Sequence, residues 1–272
     1  MPRIATVWSG LEEDDEAAST VHEEGLVVTS IMKNEPTARN AEQLEESPFQ
    51  EVAQVNGKHM IIYDLPEGQA IEDFDAQLRT SIGEVPDNAR LNARCYNQME
   101  RYDGEYWRDD IRDVRMWCVV VWQPAADVHD ELMDWFINEF TPGMLDSPEL
   151  LRTRMFKLEN VSYIRGQKQE EVDKASLHQY MTIWEFETEE FPWEIMVYLG
   201  SSEKWRLYVE NGKLDWQIAQ YLVNDPETDD DVPTIEVPGE YWDEDDRDGL
   251  QQSSEDEGTD QGEDDSDSFE IR

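Results

Sequence analysis

Basic residues, cysteine and histidine are all scarce in this 272-residue chain, and each shortage excludes something. Only 22 lysines and arginines stand against 65 aspartates and glutamates, a formal net charge of -43. The phosphates of DNA, RNA or anionic lipid repel such a chain, which excludes unaided binding to them and leaves a basic protein partner open. The two cysteines, Cys95 and Cys118, sit in apolar, strand-like runs. They make no disulfide framework, read as core thiols and fit a reducing compartment. No run approaches about 20 apolar residues, and residues 1–8 carry neither a signal peptide's apolar stretch nor a transit peptide's arginines. The expected location is the cytoplasm. Glycine-rich phosphate loops and a Gly-x-Ser-x-Gly elbow are missing, so nothing points to a nucleotide or a serine nucleophile. His22, His59, His129 and His178 show no metal-ligand spacing with each other or with the cysteines, and no metal site is expected.

What the chain does have is a core. Hydrophobic residues make up 38% of it and include 10 tryptophans, enough to bury a sizeable interior. Residues 225–272 differ: Arg247 and Arg272 are their only basic residues among aspartate, glutamate, serine and glycine. Ordering such a segment costs about 1–2 kcal/mol per residue with little apolar surface to offset it, which predicts a disordered acidic tail. Residues 1–24 read as a flexible, more weakly acidic leader.

Between these ends one pattern occurs twice. In the second half, residues 113–122 are β-branched and aromatic and read as a buried strand. Asp127 is placed to cap a helix carrying Val128, Leu132, Trp135 and Phe136 at helical spacing, and Pro142-Gly143 to break it. Residues 150–158 alternate as a half-buried strand and lead into a long polar loop. A third strand at 179–186, a helix at 193–199 and a fourth strand at 215–223 complete a β-α-β-β-α-β order. The first half echoes it more weakly: a strand at 25–32, a short helix at 38–46, strands at 49–55 and 59–65 turned at Asn56-Gly57, a helix at 71–82 and a strand at 90–99. The predicted fold is α+β: two ferredoxin-like repeats, 25–110 and 111–224, each covering the other's bare sheet face. Their helices and sheets would enclose a pocket.

Residues 134–140, with Asp134, Trp135, Glu139 and Phe140, precede Pro142, Leu145 and a Leu151–Leu158 strand rich in arginine. This stretch resembles the dimeric α+β barrel proteins of the EthD-like group. Their helix often reads Asp-Trp-Tyr-x-x-Glu-His, their next strand Leu-Arg-Ser-Arg-Arg-Phe-Lys-Leu, and their third Tyr-x-x-x-x-Glu-aromatic, similar to Tyr180 through Phe186 here. The resemblance covers about residues 114–223 and reaches 25–99 only through the repeat; tandem forms similar to this one occur in filamentous fungi. It implies a barrel that acts on small aromatic, polyketide-like molecules as decarboxylase, cyclase or monooxygenase, without a cofactor. Phe140 stands where the family's helix often carries a catalytic histidine. Haem-binding relatives imply an axial histidine, and none of the four here has that context, so haem is not expected.

Two readings follow for each candidate side chain. Trp122, Trp135, Tyr180, Trp184 and Trp216 are either core or the walls of a pocket for a planar ligand. Arg152 and Arg154, two residues apart on one strand face, either hold a ligand carboxylate or enolate in that pocket or pair with surface acids. His178 and Glu139 are the candidates for moving a proton. Two functions remain in view: binding, and cofactor-independent transformation, of a small hydrophobic or aromatic metabolite; or a non-catalytic interaction protein whose acidic tail engages a basic partner. Pairing of two chains as a homodimer stays open.

Overall fold

The computed structural model describes residues 2–11, 39–66, 74, 76, 89–166 and 168–223. Among the described residues nine strands form a single antiparallel sheet: β1 (Arg3–Leu11), β2 (Arg39–Gln43), β3 (His59–Leu65), β4 (Ala89–Asp103), β5 (Met116–Pro124), β6 (Leu150–Arg165), β7 (Lys168–Glu170), β8 (Tyr180–Phe186) and β9 (Leu214–Val223). Their order is β4-β1-β3-β2-β9-β5-β8-β6-β7, and β4 also pairs with β6, so eight strands close into a barrel. Closure removes the open edges that would otherwise invite aggregation. The joint between β4 and β6 runs from Arg90 opposite Arg165 to Asp103 opposite Arg152, with register shifts after Cys95 and Gln98. Such bulges bend two long strands enough to follow a barrel wall.

The helices are α1 (Glu51–Asn56), α2 (His129–Trp135), α3 (Thr141–Met144), α4 (Trp193–Gly200) and α5 (Glu203–Trp205); π-helical turns at Phe136–Phe140 and Arg206–Glu210 follow α2 and α5. Asp127 does not cap α2. Val128 holds that position, and Asp127 instead accepts a hydrogen bond from Lys213 Nζ at 2.6 Å. Pro142 and Gly143 do not end the helical run either, because the wider π turn before them relaxes the backbone that a proline ring would strain. Gly143 is needed for contact: a Cβ there would lie 2.7 Å from Leu199 Cδ2 on α4.

Several first-half expectations are corrected. Arg3–Leu11 is a strand of the ring rather than a flexible leader, with Ile4, Val7 and Trp8 buried. Residues 38–46 were expected to be helical, yet Arg39–Gln43 is β2, which pairs with both β3 and β9 and fills the gap a helix would leave in the ring. Residues 49–55 contain α1, not a strand. Phe49, Val52, Ala53 and Asn56 recur at i, i+3, i+4 and i+7, a helical spacing, and the last three are buried. Asn56-Gly57 therefore turns no hairpin. Gly57 has φ 141°, and a Cβ on it would come 2.3 Å from the Ser9 carbonyl oxygen, so glycine lets β1 approach closely. In the second half, β6 extends to Arg165 and pairs with β7 where a polar loop was expected. Its residues 150–156 are buried throughout instead of alternating, because one side faces the barrel axis and the other the helices. The expected strand at 25–32, most of the helix at 71–82, residues 12–24 and the tail at 225–272 lie outside the described residues.

Alternation along each wall strand separates two cores. Ile4, Trp8, Met60, Tyr96, Trp117, Val119, Phe156, Ile183 and Tyr221 pack inside the barrel. Met116, Cys118, Trp122, Met155, Tyr180, Trp184, Phe186 and Ile218 pack outward against α2, α3, α4 and α5.

Candidate functional site

The outward core contains a pocket. Its floor is Cys118 and Val120 on β5, Trp184 on β8 and Ile218 on β9, and its roof is Trp135, Phe136, Phe140, Met144, Met196 and Trp205 from the helices, with Trp216 near the rim. A water-sized sphere reaches about 60 Å³ of it, and the whole cleft out to solvent is about 570 Å³. Aromatic rings interlock around it: Phe140 stacks on Trp205 at 5.6 Å between centroids and meets Trp184 edge-on at 6.1 Å, while Trp135 lies 5.3 Å from Phe140. Such a wall is apolar and flat, suited to planar hydrophobic molecules.

Of the residues singled out from sequence, Trp135 and Trp184 line this pocket and Trp216 stands at its rim, 36% exposed. Trp122 and Tyr180 stack on each other at 4.9 Å one layer away, with Trp122 4.7 Å from Phe136 and its indole N–H donating to Thr182 Oγ1 at 3.0 Å. Phe140, at the position of the family's histidine, is part of the wall itself.

The two arginines do not join them. Arg152 and Arg154 do share one face, but it is the face toward the barrel axis, where both donate to Glu185: Arg152 through Nε, and Arg154 through Nη2 at 2.5 Å. Neither pairs with surface acids as its main partner, nor reaches the aromatic pocket; the sheet stands between. Burial alone would push the Glu185 carboxyl up, but Arg154 and Arg152 more than reverse this and hold it below the ordinary carboxylate range.

The proton-transfer candidates lie elsewhere too. Glu139 is exposed on the π turn and forms an ion pair with Lys204. His178 precedes β8 with its Nε2 3.3 Å from Asp215 Oδ2, and it is not among the residues that line the pocket. Burial pushes the Cys118 thiol well up, so the one sulfur nucleophile in the wall is held protonated. Both cysteines are buried thiols.

Sequence reading missed three residues. His129 Nε2 lies 2.8 Å from Tyr180 Oη and its Nδ1 2.8 Å from Asp130, a link made across 51 positions that no local spacing announces. Glu185 did carry a signal, as the lone acid in an otherwise apolar β8 beside two arginines at i and i+2. Trp107, whose ring lies 4.4 Å from the Arg152 guanidinium, follows Tyr106 in a charged stretch with no strand or helix periodicity to mark it. Among the described residues no cluster of three histidine, cysteine, aspartate or glutamate side chains suits a metal ion, and no described helix is long and apolar enough to cross a membrane.

No family model matches the sequence, and no curated protein matches it either. Solved structures do. An anthrone oxidase-like protein superposes with a TM-score of 0.50 at 8% identity, over 82% of this chain and 91% of its own. The chain has the dimeric α+β barrel fold. Two other structures align more loosely: a candidate chlorite dismutase (TM-score 0.44, 11% identity, 83% and 96% covered) and a candidate monooxygenase from Lactobacillus acidophilus (0.43, 7%, 82% and 94%). In the dimeric α+β barrel formed here, both sheet halves come from one polypeptide, joined through β2 with β9 and β4 with β6. At these identities the likeness is one of fold.

Proposed function

We propose that this barrel binds a small, planar, hydrophobic or aromatic molecule in the pocket between its second-half sheet and the overlying helices, and acts on it in the manner of a cofactor-independent oxygenase. The reading is carried by the aromatic wall itself, in which Trp135, Phe136, Phe140, Trp184 and Trp205 converge and no charged side chain intrudes. Leaving aside the short β7, each half contributes strands in the order fourth, first, third, second, which supports reading the halves as two ferredoxin-like repeats. The anthrone oxidase-like neighbour supports a polycyclic aromatic substrate class. In such a pocket the protein's part is to exclude water and hold the ring flat. Tyr180, His129 and Asp130 form a hydrogen-bonded chain, with the Tyr180 ring stacked on Trp122 behind the wall.

Native mass spectrometry of the purified full chain, followed by identification of any released molecule, tests the binding. A planar aromatic adduct that disappears in Val120→Phe, which fills the floor, supports the reading. A chain that is reproducibly empty and takes up no polycyclic phenol from a panel overturns it.

A further inference from the structure

On the other side of the same sheet, one mouth of the barrel gathers three arginines. Arg152 and Arg154 share Glu185, which is fully buried, while Asp64 reaches Arg154 only at 3.9 Å with its side chain 59% exposed. Arg39 has no carboxylate within ion-pair distance among the described residues. Its Nη2 donates to the Ile111 carbonyl at 2.8 Å, and its guanidinium lies over the Trp117 ring at 5.4 Å. Three guanidinium groups thus face one buried and one exposed acid, an excess of one positive charge when both acids are counted and two when only the buried one is. Several donors there also meet no protein acceptor: Arg39 Nη1, Arg152 Nη2, Arg154 Nε, and the indole N–H groups of Trp107 and Trp117. Arg152 and Arg154 are each 7% exposed, so bulk solvent does not satisfy these groups cheaply.

A barrel built only for stability would leave no such excess, since removing a cation or adding an acid is an easy substitution in a chain this rich in glutamate. Arg39 shows the strain. Burial, with repulsion from Arg154 and Arg152, lowers its pKa to about 10 despite the pull of Glu185 and Asp64. Arg39 stays charged at neutral pH, and the lowered value means that carrying that charge in the fold costs stability relative to the unfolded chain. A bound anion would reverse that penalty.

We infer that this mouth of the barrel is a binding site for a small oxyanion, a carboxylate or phosphate group, held by Arg39, Arg152 and Arg154 beside Glu185 and flanked by the Trp107 and Trp117 rings. Guanidinium forks suit oxyanions because their N–H groups match paired oxygen atoms. The site is separate from the aromatic pocket and does not depend on it. The chain's overall negative charge slows an anion's approach, so added salt speeds association while weakening the bound state less.

The test is thermal unfolding of the full chain titrated with formate or with inorganic phosphate, ionic strength being held by a bulky sulfonate salt. The expected result is a saturable rise in Tm, about 5 °C at a hundredfold excess over Kd, with one of the two anions. Arg39→Met should be at least as stable as wild type without the anion and bind it at least roughly tenfold more weakly, so that the stability order reverses on titration. Arg39→Lys, which keeps the charge and loses the fork, should lie between them, and it carries the test if the methionine variant does not fold. The inference is overturned if neither anion gives a saturable shift, if chloride matches them at equal concentration, or if both Arg39 variants respond like wild type.

Discussion

Strand β8 serves two different interiors. Tyr180, Thr182, Trp184 and Phe186 project toward the helices, into an aromatic layer with a cleft, while Met181, Ile183 and Glu185 project toward the barrel axis, where Glu185 meets arginines from β6. Every one of these seven residues is buried. The difference between the two sides teaches that burial on this sheet does not mean one kind of core. Toward the helices, polar groups are nearly excluded and packing of rings sets the shape. Toward the axis, charges are admitted where ion pairs and ring faces compensate them, as they do again at Arg94, which donates to Asn92 and Asn56 and lies over Trp8 at 5.1 Å.

Substitutions on the two sides should fail in different ways. The largest effect is expected at Glu185→Gln, which strands two buried guanidinium groups and should cost about 3–5 kcal/mol in urea unfolding. Because the Glu185 carboxyl is held below its ordinary value, its contribution is fully present above a pH near 4.5 and is lost as pH falls through the lower folded value. The gap between wild type and variant should therefore be flat above about pH 5 and close in acid; a gap independent of pH would place the arginines in solvent. Phe140→His introduces a polar ring into the helix-side wall and should cost about 1–3 kcal/mol, more below about pH 6.5 because burial disfavours the imidazolium. No loss on that substitution would mean that the cleft is wet. Gly143→Ala presses a methyl group on the Leu199 side chain, whose free end can yield, and about 1 kcal/mol is expected, read as a small drop in Tm. Lys204→Ala removes only the exposed partner of Glu139, and an unchanged urea midpoint is the expected result.

The second half was more legible than the first for a physical reason. Its strand at 179–186 lies between β5 and β6 and its strand at 215–223 pairs along its whole length with β5, all within the same half, so local periodicity and burial agree. In the first half, Arg39–Gln43 is a strand because β3 and β9 flank it, and one of those neighbours lies 170 residues away or more. No window of sequence contains that fact. Phe49 to Asn56 shows the opposite error: the helical spacing was present but obscured by the hairpin signal of Asn56-Gly57, whose glycine answers to Ser9 instead. At the candidate site, Trp135 and Trp184 were found because large aromatics on a wall strand and its covering helix are recognisable. Arg152 and Arg154 were correctly placed on one face, yet which face depended on the β6 register against β8.

What the sequence by itself determined is the composition of the two interiors: enough tryptophan and phenylalanine for an aromatic layer, a single acid in β8, and arginines two apart on β6. Tertiary structure decided which of these meet. Closing eight strands into a ring assigns each side chain to the axis or to the helices, and that assignment turns on strand pairing between distant segments, which local spacing does not encode.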